Sequence, residues 1–168
     1  SQLVGSGSTV TNGLTVADVT GDGAPEIILG TADAGTGTIT TLINNGSGAF
    51  SSSTSNSFTA TSITGLDVGS VGLSANADLV AAATTTTGQV GILFAGDGSG
   101  TFTTSFSEAN SSEVSGNIQL QDLNNDGALD IVQGGRLSGK STNGLIRTYM
   151  NDGTGGFGSS TSYQSGSS

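Results

Sequence analysis

The chain has 168 residues, of which 33% are hydrophobic and 29 are Gly, so its length fits a single domain or a short repeat array with few large core side chains. The net charge of −10 argues against binding to nucleic acids and anionic membranes, which need basic patches, and no segment has the ~20 apolar residues of a membrane span. The absence of His and Cys excludes histidine-based acid–base relays and thiolate nucleophiles, and leaves no disulfide that would indicate the redox compartment.

The first predicted elements are two short strands, residues 14–17 and 27–29, joined by a loop at residues 18–26. Oxygen-bearing groups stand at the first, third, fifth and ninth positions of this loop: Asp18, Thr20, Asp22 and Glu26. This spacing suits a hard cation such as calcium, provided that the loop folds back on itself. Gly23 stands where that turn needs unusual backbone angles. The sequence therefore predicts a calcium loop at residues 18–26.

A second motif, a Gly-rich turn that ends in Phe, occurs three times and divides the chain into repeats. Its Phe residues, Phe50, Phe102 and Phe157, lie 52 and 55 positions apart, which indicates an internal repeat of about fifty residues. We therefore predict an N-terminal strand or arm and three repeats, at residues 1–11, 12–60, 61–113 and 114–168.

The middle repeat departs from the loop pattern. Its matching segment is predicted to run from Asp67 to Asp78, with a spacing of eleven residues instead of eight and without the central carboxylate. We therefore expect no calcium in residues 67–78. The apolar run at residues 79–83 still predicts the strand that follows the other loops, so the scaffold and the metal site are separable.

The remaining strand signals are short, and no stretch sustains the apolar 3.6-residue period of a helix. Residues 90–94 and 118–121 alternate with the period of two that is typical of strands. Leu42, Phe94 and Tyr149 each precede a repeat Phe by eight residues, so we expect them at equivalent inward-facing positions. The predicted fold class is all-β.

The last predicted loop, residues 122–130, lies between predicted strands at residues 118–121 and 131–133. It carries the same pattern of oxygen-bearing groups: Asp122, Asn124, Asp126 and Asp130. The loop is longer than the roughly two to five residues of most hairpins, and its carboxylates repel one another by roughly 1 kcal/mol per pair at 4 Å in water unless a cation joins them. An empty turn rich in Asp, Asn and Gly is the alternative. An EF-hand is excluded, because its twelfth position needs Glu and falls here on Leu29 and Gln133.

Together, the loop pattern and the Gly-rich turn resemble the FG-GAP or VCBS repeats of integrin-like β-propellers, over roughly residues 12–168. The resemblance implies four-stranded antiparallel blades and calcium in the first and last loops, with the backbone carbonyl of Ala24 or Ala128 added to the side-chain ligands. Thr20 and Glu26 depart from the family pattern, so the last loop is the closer match. Three consecutive blades are too few to close a ring, which typically takes about four to eight, so two open ends with free strand edges are expected. Either the chain is a piece of a longer propeller, or several chains complete one another.

These features favour a secreted, calcium-stabilised structural or adhesive subunit, a homo-oligomer that forms a ring or a head-to-tail filament through its open blade edges. Leu3 and Val4 in the arm suit pairing with a neighbour's free edge or with the chain's own last blade. An extracellular or cell-surface location fits a calcium loop of low charge and a chain that starts at Ser1 without Met. Asn45 and Asn110 match the N-glycan acceptor pattern.

Two other functions remain open. An extracellular binding module would recognise a glycan or a cell-surface protein through loops at one rim, although Tyr149, Tyr163 and six Phe are the only aromatic residues. A glycoside-cleaving enzyme would need a pair of carboxylates, and Glu108 and Glu113 are the spare pair, in a polar stretch typical of a solvated connector. We therefore predict no enzymatic activity.

Overall fold

A computed structural model describes residues 9–110, 113–137 and 144–165, so Leu3 and Val4 of the predicted arm lie outside the described residues. The described residues form strands, turns and loops, and they include no helix of the length and apolarity needed to cross a membrane. The strands, in chain order, are β1 (Thr9–Ala17), β2 (Glu26–Asp33), β3 (Thr36–Asn44), β4 (Phe50–Thr59), β5 (Ser62–Gly69), β6 (Asp78–Thr85), β7 (Gly88–Gly96), β8 (Phe102–Asn110), β9 (Glu113–Gln121), β10 (Asp130–Leu137), β11 (Gly144–Tyr149) and β12 (Thr161–Ser165).

The strands form three four-stranded antiparallel sheets, which confirms the predicted fold class. Each sheet takes four consecutive strands in order, and we call the sheets blade 1 (β1 to β4), blade 2 (β5 to β8) and blade 3 (β9 to β12). The first strands lie side by side, with β1 against β5 and β5 against β9, in the manner of propeller blades around an axis. Across the described residues the three sheets do not close into a ring.

The predicted strands on either side of both candidate loops pair as antiparallel neighbours. Ala17 pairs with Glu26 in blade 1, and Gln121 pairs with Asp130 in blade 3. The paired strands are rich in Val, Ile, Leu and Thr, which fit a pleated surface that is buried on one face. Each loop therefore joins the first strand of its blade to the second.

Two apolar clusters hold the blades together. The cluster between blades 1 and 2 includes large side chains that are each at most 1% exposed, among them Ile28, Ile39, Leu79, Phe94 and Phe102. The cluster between blades 2 and 3 includes Val71, Val80, Leu93, Ile118, Ile131 and Tyr149. Burial of these side chains between facing sheets supplies the main apolar stabilisation of the fold.

Glycine residues on the blade faces let neighbouring sheets approach closely. A Cβ atom on Gly30 would lie 2.9 Å from Ile63 Cγ2, and a Cβ atom on Gly65 would lie 2.9 Å from the backbone nitrogen of Ile118. Both distances are shorter than a packed core allows. The high Gly content thus serves the packing of thin sheets as well as their turns.

The three equivalent apolar positions share one register, as the sequence predicts. Leu42, Phe94 and Tyr149 each pair with the first apolar residue of the second strand of their blade. Phe94 and Tyr149 are buried, at 1% and 4% exposed, because their faces pack on the preceding blade. Leu42 is only half-buried, since its face of blade 1 points away from blade 2. Inward burial is therefore confirmed for two of the three.

The prediction that a degenerate loop begins at Asp67 is wrong. β5 continues through Gly69, which pairs with Asp78, so the middle loop spans residues 70–78 with the same eight-residue spacing as the other loops. Asp67 lies within the strand, where its carboxylate accepts the backbone N–H of Leu120 at 2.8 Å and joins blade 2 to blade 3. The first position of the middle loop carries no acid. Aligning the repeats on the nearest upstream carboxylate therefore places the start of this loop at the wrong residue.

Candidate metal centre

The first candidate loop, residues 18–26, is organised by its own carboxylates. Asp18 accepts the backbone N–H groups of Gly21 at 2.7 Å and Gly23 at 2.9 Å, one on each carboxylate oxygen. Asp22 accepts the N–H of Ala24 at 2.8 Å. Gly21 and Gly23 have φ angles of 75° and 87°, in the left-handed region that favours glycine. The loop folds back on itself, which is the shape that the metal hypothesis requires.

The last candidate loop, residues 122–130, has the same internal geometry. Asp122 accepts the N–H groups of Asn125 at 2.7 Å and Gly127 at 3.0 Å on its two oxygens, and Asp126 accepts the N–H of Ala128 at 2.8 Å. Asn125 and Gly127 have φ angles of 60° and 90°, so Asn125 takes the left-handed position that Gly occupies in the first loop. Two loops about a hundred residues apart thus share one conformation.

The third and fifth positions of the last loop already contact each other. Asn124 Nδ2 donates to Asp126 Oδ2 at 2.7 Å, and Asn124 Oδ1 accepts the backbone N–H of Asp126 at 3.0 Å. Both side chains are exposed. The amide and the carboxylate are therefore adjacent and solvent-accessible, as ligands of one cation would be.

The ninth-position acids serve the fold in all three blades. Glu26, Asp78 and Asp130 are each 0% exposed. Each accepts the backbone N–H of the residue seven positions earlier in the chain, at 2.9, 3.1 and 2.9 Å. The middle loop keeps this hydrogen bond although its other acids are missing. The ninth acid therefore closes the loop whether or not a metal binds there.

The second oxygen of the ninth-position acid distinguishes the first loop from the others. Asp78 Oδ1 and Asp130 Oδ1 each accept a further backbone N–H from the region where the third strand ends, at 3.2 and 2.8 Å. Glu26 Oε1 is buried without a hydrogen-bond partner, and so is Thr20 Oγ1 in the same loop. A buried oxygen without a partner is costly, and an ion or an ordered water is the usual remedy. The first loop thus has orphaned oxygens at its third and ninth positions.

Across the described residues, no three Asp or Glu side chains converge as a group that could hold a metal ion. In both loops the carboxylate oxygens turn instead to backbone N–H groups of the same loop. A carboxylate has about four lone-pair sites, so Asp18, with two hydrogen bonds, keeps acceptor capacity for a cation. Carboxylate, amide, hydroxyl and carbonyl oxygens are also the donors that calcium prefers.

Hydrogen bonding lowers the pKa of several loop carboxyl groups. The N–H of Gly23, followed by those of Gly21 and neighbouring residues, holds the pKa of Asp18 below its ordinary value of 3.8. In the Gly-rich turns, the N–H and hydroxyl of Ser99 do the same for Asp97, and the hydroxyl and N–H of Thr154 do so for Asp152. These carboxylates are therefore ionised at neutral pH.

The middle loop has a different set of groups. Ser70, Gly72 and Ser74 stand where the last loop has Asp122, Asn124 and Asp126. Ser74 Oγ accepts the N–H of Asn76 at 3.1 Å, so a hydroxyl closes the turn that a carboxylate closes elsewhere. With Asp78 as its one acid, this loop lacks the charge for a calcium site.

Two Asn residues that the sequence analysis overlooked tie the loops to the Gly-rich turns. Asn151 Nδ2 donates to the carbonyls of Val71 at 2.9 Å and Leu129 at 3.0 Å, and so links the loops of blades 2 and 3. Asn44 Nδ2 donates to the carbonyl of Pro25 at 3.1 Å in blade 1. Each of these Asn residues directly precedes the first residue of a Gly-rich turn. Aligning the sequences of the three turns would therefore have identified them.

Of the two spare carboxylates, the side chain of Glu108 lies within the described residues. Glu108 in β8 forms an ion pair with Arg147 in β11, with 3.5 Å between Oε1 and Nη1. Arg147 also donates to Ser160 Oγ at 2.9 Å. The side chains of Glu113 and Asn110 lie outside the described residues. Glu108 therefore joins blades 2 and 3.

Comparison of the chain with protein-family models gives no match. Comparison with curated proteins gives no significant similarity. Neither comparison assigns a family, so the loops, the blade faces and their charges are the basis for a function.

Proposed function

We propose that the chain is an extracellular, calcium-stabilised structural subunit that self-associates through the open ends of its blade array, as a ring or a head-to-tail filament. The observation that carries this proposal is the uncovered apolar surface at both ends. Leu14 and Val16 in β1 are 62% and 57% exposed, and Ile146 in β11 is 49% exposed. Clustered apolar exposure of this kind marks interaction surfaces.

Calcium in the first and last loops is part of the proposal, and the orphaned oxygens of Thr20 and Glu26 support it in the first loop. The first site would use side chains of Asp18, Thr20, Asp22 and Glu26 with the carbonyl of Ala24. The last site would use Asp122, Asn124, Asp126 and Asp130 with the carbonyl of Ala128. Bound calcium would relieve repulsion among the carboxylates and stiffen the connection between the first two strands of the blade.

An FG-GAP or VCBS type of blade is the proposed family. Four-stranded antiparallel blades support it, as does the position of each candidate loop between the first and second strands. The family would also account for the repeated Gly-rich turn before the fourth strand of blades 1 and 2.

A binding module for glycans or cell-surface proteins is the second candidate, and one aromatic side chain favours it. Tyr163 in β12 is 55% exposed and lines a shallow groove with Gly134, Gly144 and Ile146. An exposed ring beside a glycine floor is a surface on which a sugar can stack. Glycan binding by a chain that stays monomeric would favour this function over self-association.

The proposal is tested by the mass and the thermal stability of the protein in calcium and in chelator. Light scattering over a range of concentrations should give masses above the 16.3 kDa of one chain when calcium is present. Chelation should lower the melting temperature, because a metal that binds only the folded state stabilises it by mass action. A mass of 16.3 kDa at every concentration in calcium would contradict self-association, and an unchanged melting temperature would contradict the calcium sites.

A further inference from the structure

We propose that copies of the chain associate head to tail by repeating the contact that joins consecutive blades within the chain, with blade 3 of one copy against blade 1 of the next. This inference rests on the proposed self-association and specifies its surfaces. Such a contact is heterologous, so it generates a ring where the rotation closes and a filament where it does not.

The contact within the chain has two distinct sides. We call the side of a blade that packs on the preceding blade its head face, and the side that packs on the following blade its tail face. Blade 1 offers its tail face, with Val19, Ile28 and Ile39, to the head face of blade 2, with Leu79 and Phe94. Blade 2 then offers its own tail face to blade 3. Both internal junctions therefore use the same pair of surfaces.

The head face of blade 1 repeats the buried head faces of blades 2 and 3 but is uncovered. Leu14 is 62% exposed, whereas the residues in its register position, Leu66 and Ile118, are 7% and 1% exposed. The strand pairing aligns the apolar residues of this face across three strands. They are Leu14, Val16, Ile27, Leu29 and Leu42. This surface has the composition of an inter-blade contact without the partner blade.

The tail face of blade 3 is the matching uncovered surface. Leu123 is 41% exposed, whereas Val19 and Val71, at the same loop position in blades 1 and 2, are 3% and 2% exposed. Ile146 is 49% exposed, whereas Ile39, which has its register position in blade 1, is 0% exposed. A following head face would bury both side chains as the internal junctions bury their counterparts.

A glycine notch is also present on this tail face. In blade 1, Gly30 leaves the space that Ile63 of blade 2 fills, since a Cβ on Gly30 would lie 2.9 Å from Ile63 Cγ2. Gly134 holds the position of Gly30 in blade 3, and a Cβ there would meet no atom closer than 3.8 Å. Gly134 therefore leaves open, on the tail face of blade 3, the space that is filled at the junction of blades 1 and 2.

Charge on the two faces favours the same pairing. Asp33 is exposed and lies at the end of β2, on the head face of blade 1. Arg136 is also exposed and lies at the corresponding end of β10, on the tail face of blade 3. The acids of the candidate loops lie at the opposite ends of these strands. A head-to-tail approach thus brings opposite charges together, while a head-to-head approach would bring two Asp33 residues together.

Mixing two single variants tests the heterologous contact. Val16→Lys places a charge on the head face and Ile146→Lys places one on the tail face, and both positions are exposed, so each variant should fold. Each variant alone should sediment as one chain of 16.3 kDa, and an equimolar mixture should give a dimer of twice that mass, because one intact tail face meets one intact head face. Thr86→Lys, in the exposed β6–β7 turn, is the control and should assemble as the unmodified chain does.

An engineered disulfide tests the register of the contact. A Cβ on Gly69 would lie 3.9 Å from Leu120 Cβ, within the range for a disulfide. Gln121, on the tail face of blade 3, has the register position of Gly69. Val16, on the head face of blade 1, has the register position of Leu120. The double variant Val16→Cys/Gln121→Cys should therefore give a ladder of linked chains on mild oxidation. Ala17→Cys/Val68→Cys, the same pair across blades 1 and 2, should close within one chain.

Four results would overturn the inference. Self-association that survives either Lys substitution, or a mixture of the two variants that stays at the single-chain mass, excludes the head-to-tail contact while leaving the proposed function in place. An unmodified chain that stays monomeric in calcium overturns the proposed function as well. If the double variant Val16→Cys/Thr86→Cys forms linked chains as readily as Val16→Cys/Gln121→Cys, the linkage is random and the proposed register is excluded.

Discussion

Glu26 and Asp130 hold the same position in their loops but have different surroundings. Both are fully buried and accept an N–H from within the loop, yet Asp130 uses its second oxygen for the N–H of Asn151, while Glu26 leaves its second oxygen without a partner. The sequence ranks the last loop as the closer match to a calcium site. The orphaned oxygens give the first loop the stronger structural support for a bound cation.

Glu26→Gln tests whether a cation accounts for the orphaned oxygen. In chelator, the substitution should raise the free energy of unfolding by about 1 kcal/mol, because a neutral amide costs less to bury than a carboxylate with an unpaired oxygen. In calcium, it should reduce the metal-induced rise in melting temperature, because one ligand charge is lost. Thermal unfolding followed by circular dichroism, with calcium and with EDTA, measures both effects.

Asp130→Asn is the matched control for that substitution. Both oxygens of Asp130 accept backbone N–H groups, so an amide nitrogen would face a donor and should lower the free energy of unfolding by about 1–3 kcal/mol in chelator, opposite in sign to the effect of Glu26→Gln. If Glu26→Gln is equally destabilising in chelator, the orphaned oxygen has a partner other than a metal.

The Gly-rich turns predict a loss of stability in acid. Hydrogen bonds from the N–H and hydroxyl of Ser99 hold the pKa of Asp97 below 3.8. The stabilisation is therefore present above the unfolded pKa and is lost as the pH falls through the lower folded pKa. Asn45 makes the same turn in blade 1, so Asp97→Asn should keep the stability at pH 7 and weaken the loss below about pH 4.

Melting temperatures measured from neutral to acidic pH check this expectation. Ser99→Ala removes one of the hydrogen bonds to Asp97 and should give an intermediate pH dependence. Because Asp152 is held in the same way, the double variant Asp97→Asn/Asp152→Asn should show the flattest profile. An acid transition that is identical in the double variant and the unmodified chain would contradict the role of these turns.

At the scale of the strands, blade contact depends on backbone that lies close to the neighbouring sheet. Gly65 in β5 faces Asn117 and Ile118 in β9, and Asp67 in the same strand accepts the N–H of Leu120. The first strands are thus joined by close packing and by a partly buried hydrogen bond. Strand composition alone does not show this, because Gly usually weakens a strand.

Gly65→Ala should destabilise the protein by about 1–3 kcal/mol, because the added methyl group would lie 2.9 Å from the backbone nitrogen of Ile118 and would force blades 2 and 3 apart. Gly134→Ala is the control. Its Cβ would have 3.8 Å of clearance, and Ala82 already occupies the equivalent position in blade 2, so its stability should be unchanged or slightly higher. Urea unfolding midpoints for the two variants provide the comparison, and equal midpoints would contradict the close contact.

The sequence predicts the strands and the loop shape well because both depend on local patterns. Alternation and the eight-residue spacing place β1, β2, β9 and β10 around the two loops. The middle loop is misplaced because Ser70 carries no carboxylate to mark its start. The closing role of the ninth acid and the contacts of Asn151 depend on tertiary packing, so the sequence alone does not reveal them.

At the scale of the whole molecule, the array has two surfaces that its own blades do not cover. The head face of blade 1 and the tail face of blade 3 correspond to surfaces that are buried at both internal junctions. The net charge of −10 opposes association of like chains, and calcium in the two loops would reduce that charge. Metal binding and assembly should therefore favour each other.

Assembly should make thermal stability depend on protein concentration. In calcium, the melting temperature of the unmodified chain should rise with concentration, because association that requires the folded state stabilises it by mass action. Val16→Lys should remove this dependence while it retains the effect of calcium itself. Scanning calorimetry over a hundredfold range of concentration would show the difference, and a melting temperature independent of concentration in the unmodified chain would contradict the coupling.

An image reconstruction of the assembled protein by electron cryo-microscopy would show the contact between copies at the level of single blades. The blades of consecutive copies should stack without interruption, so that the junction between blade 3 and blade 1 superposes on the junction between blades 1 and 2, with Val16 of one copy beside Gln121 of its neighbour. A junction formed by strand edges, or by two head faces, would contradict the account.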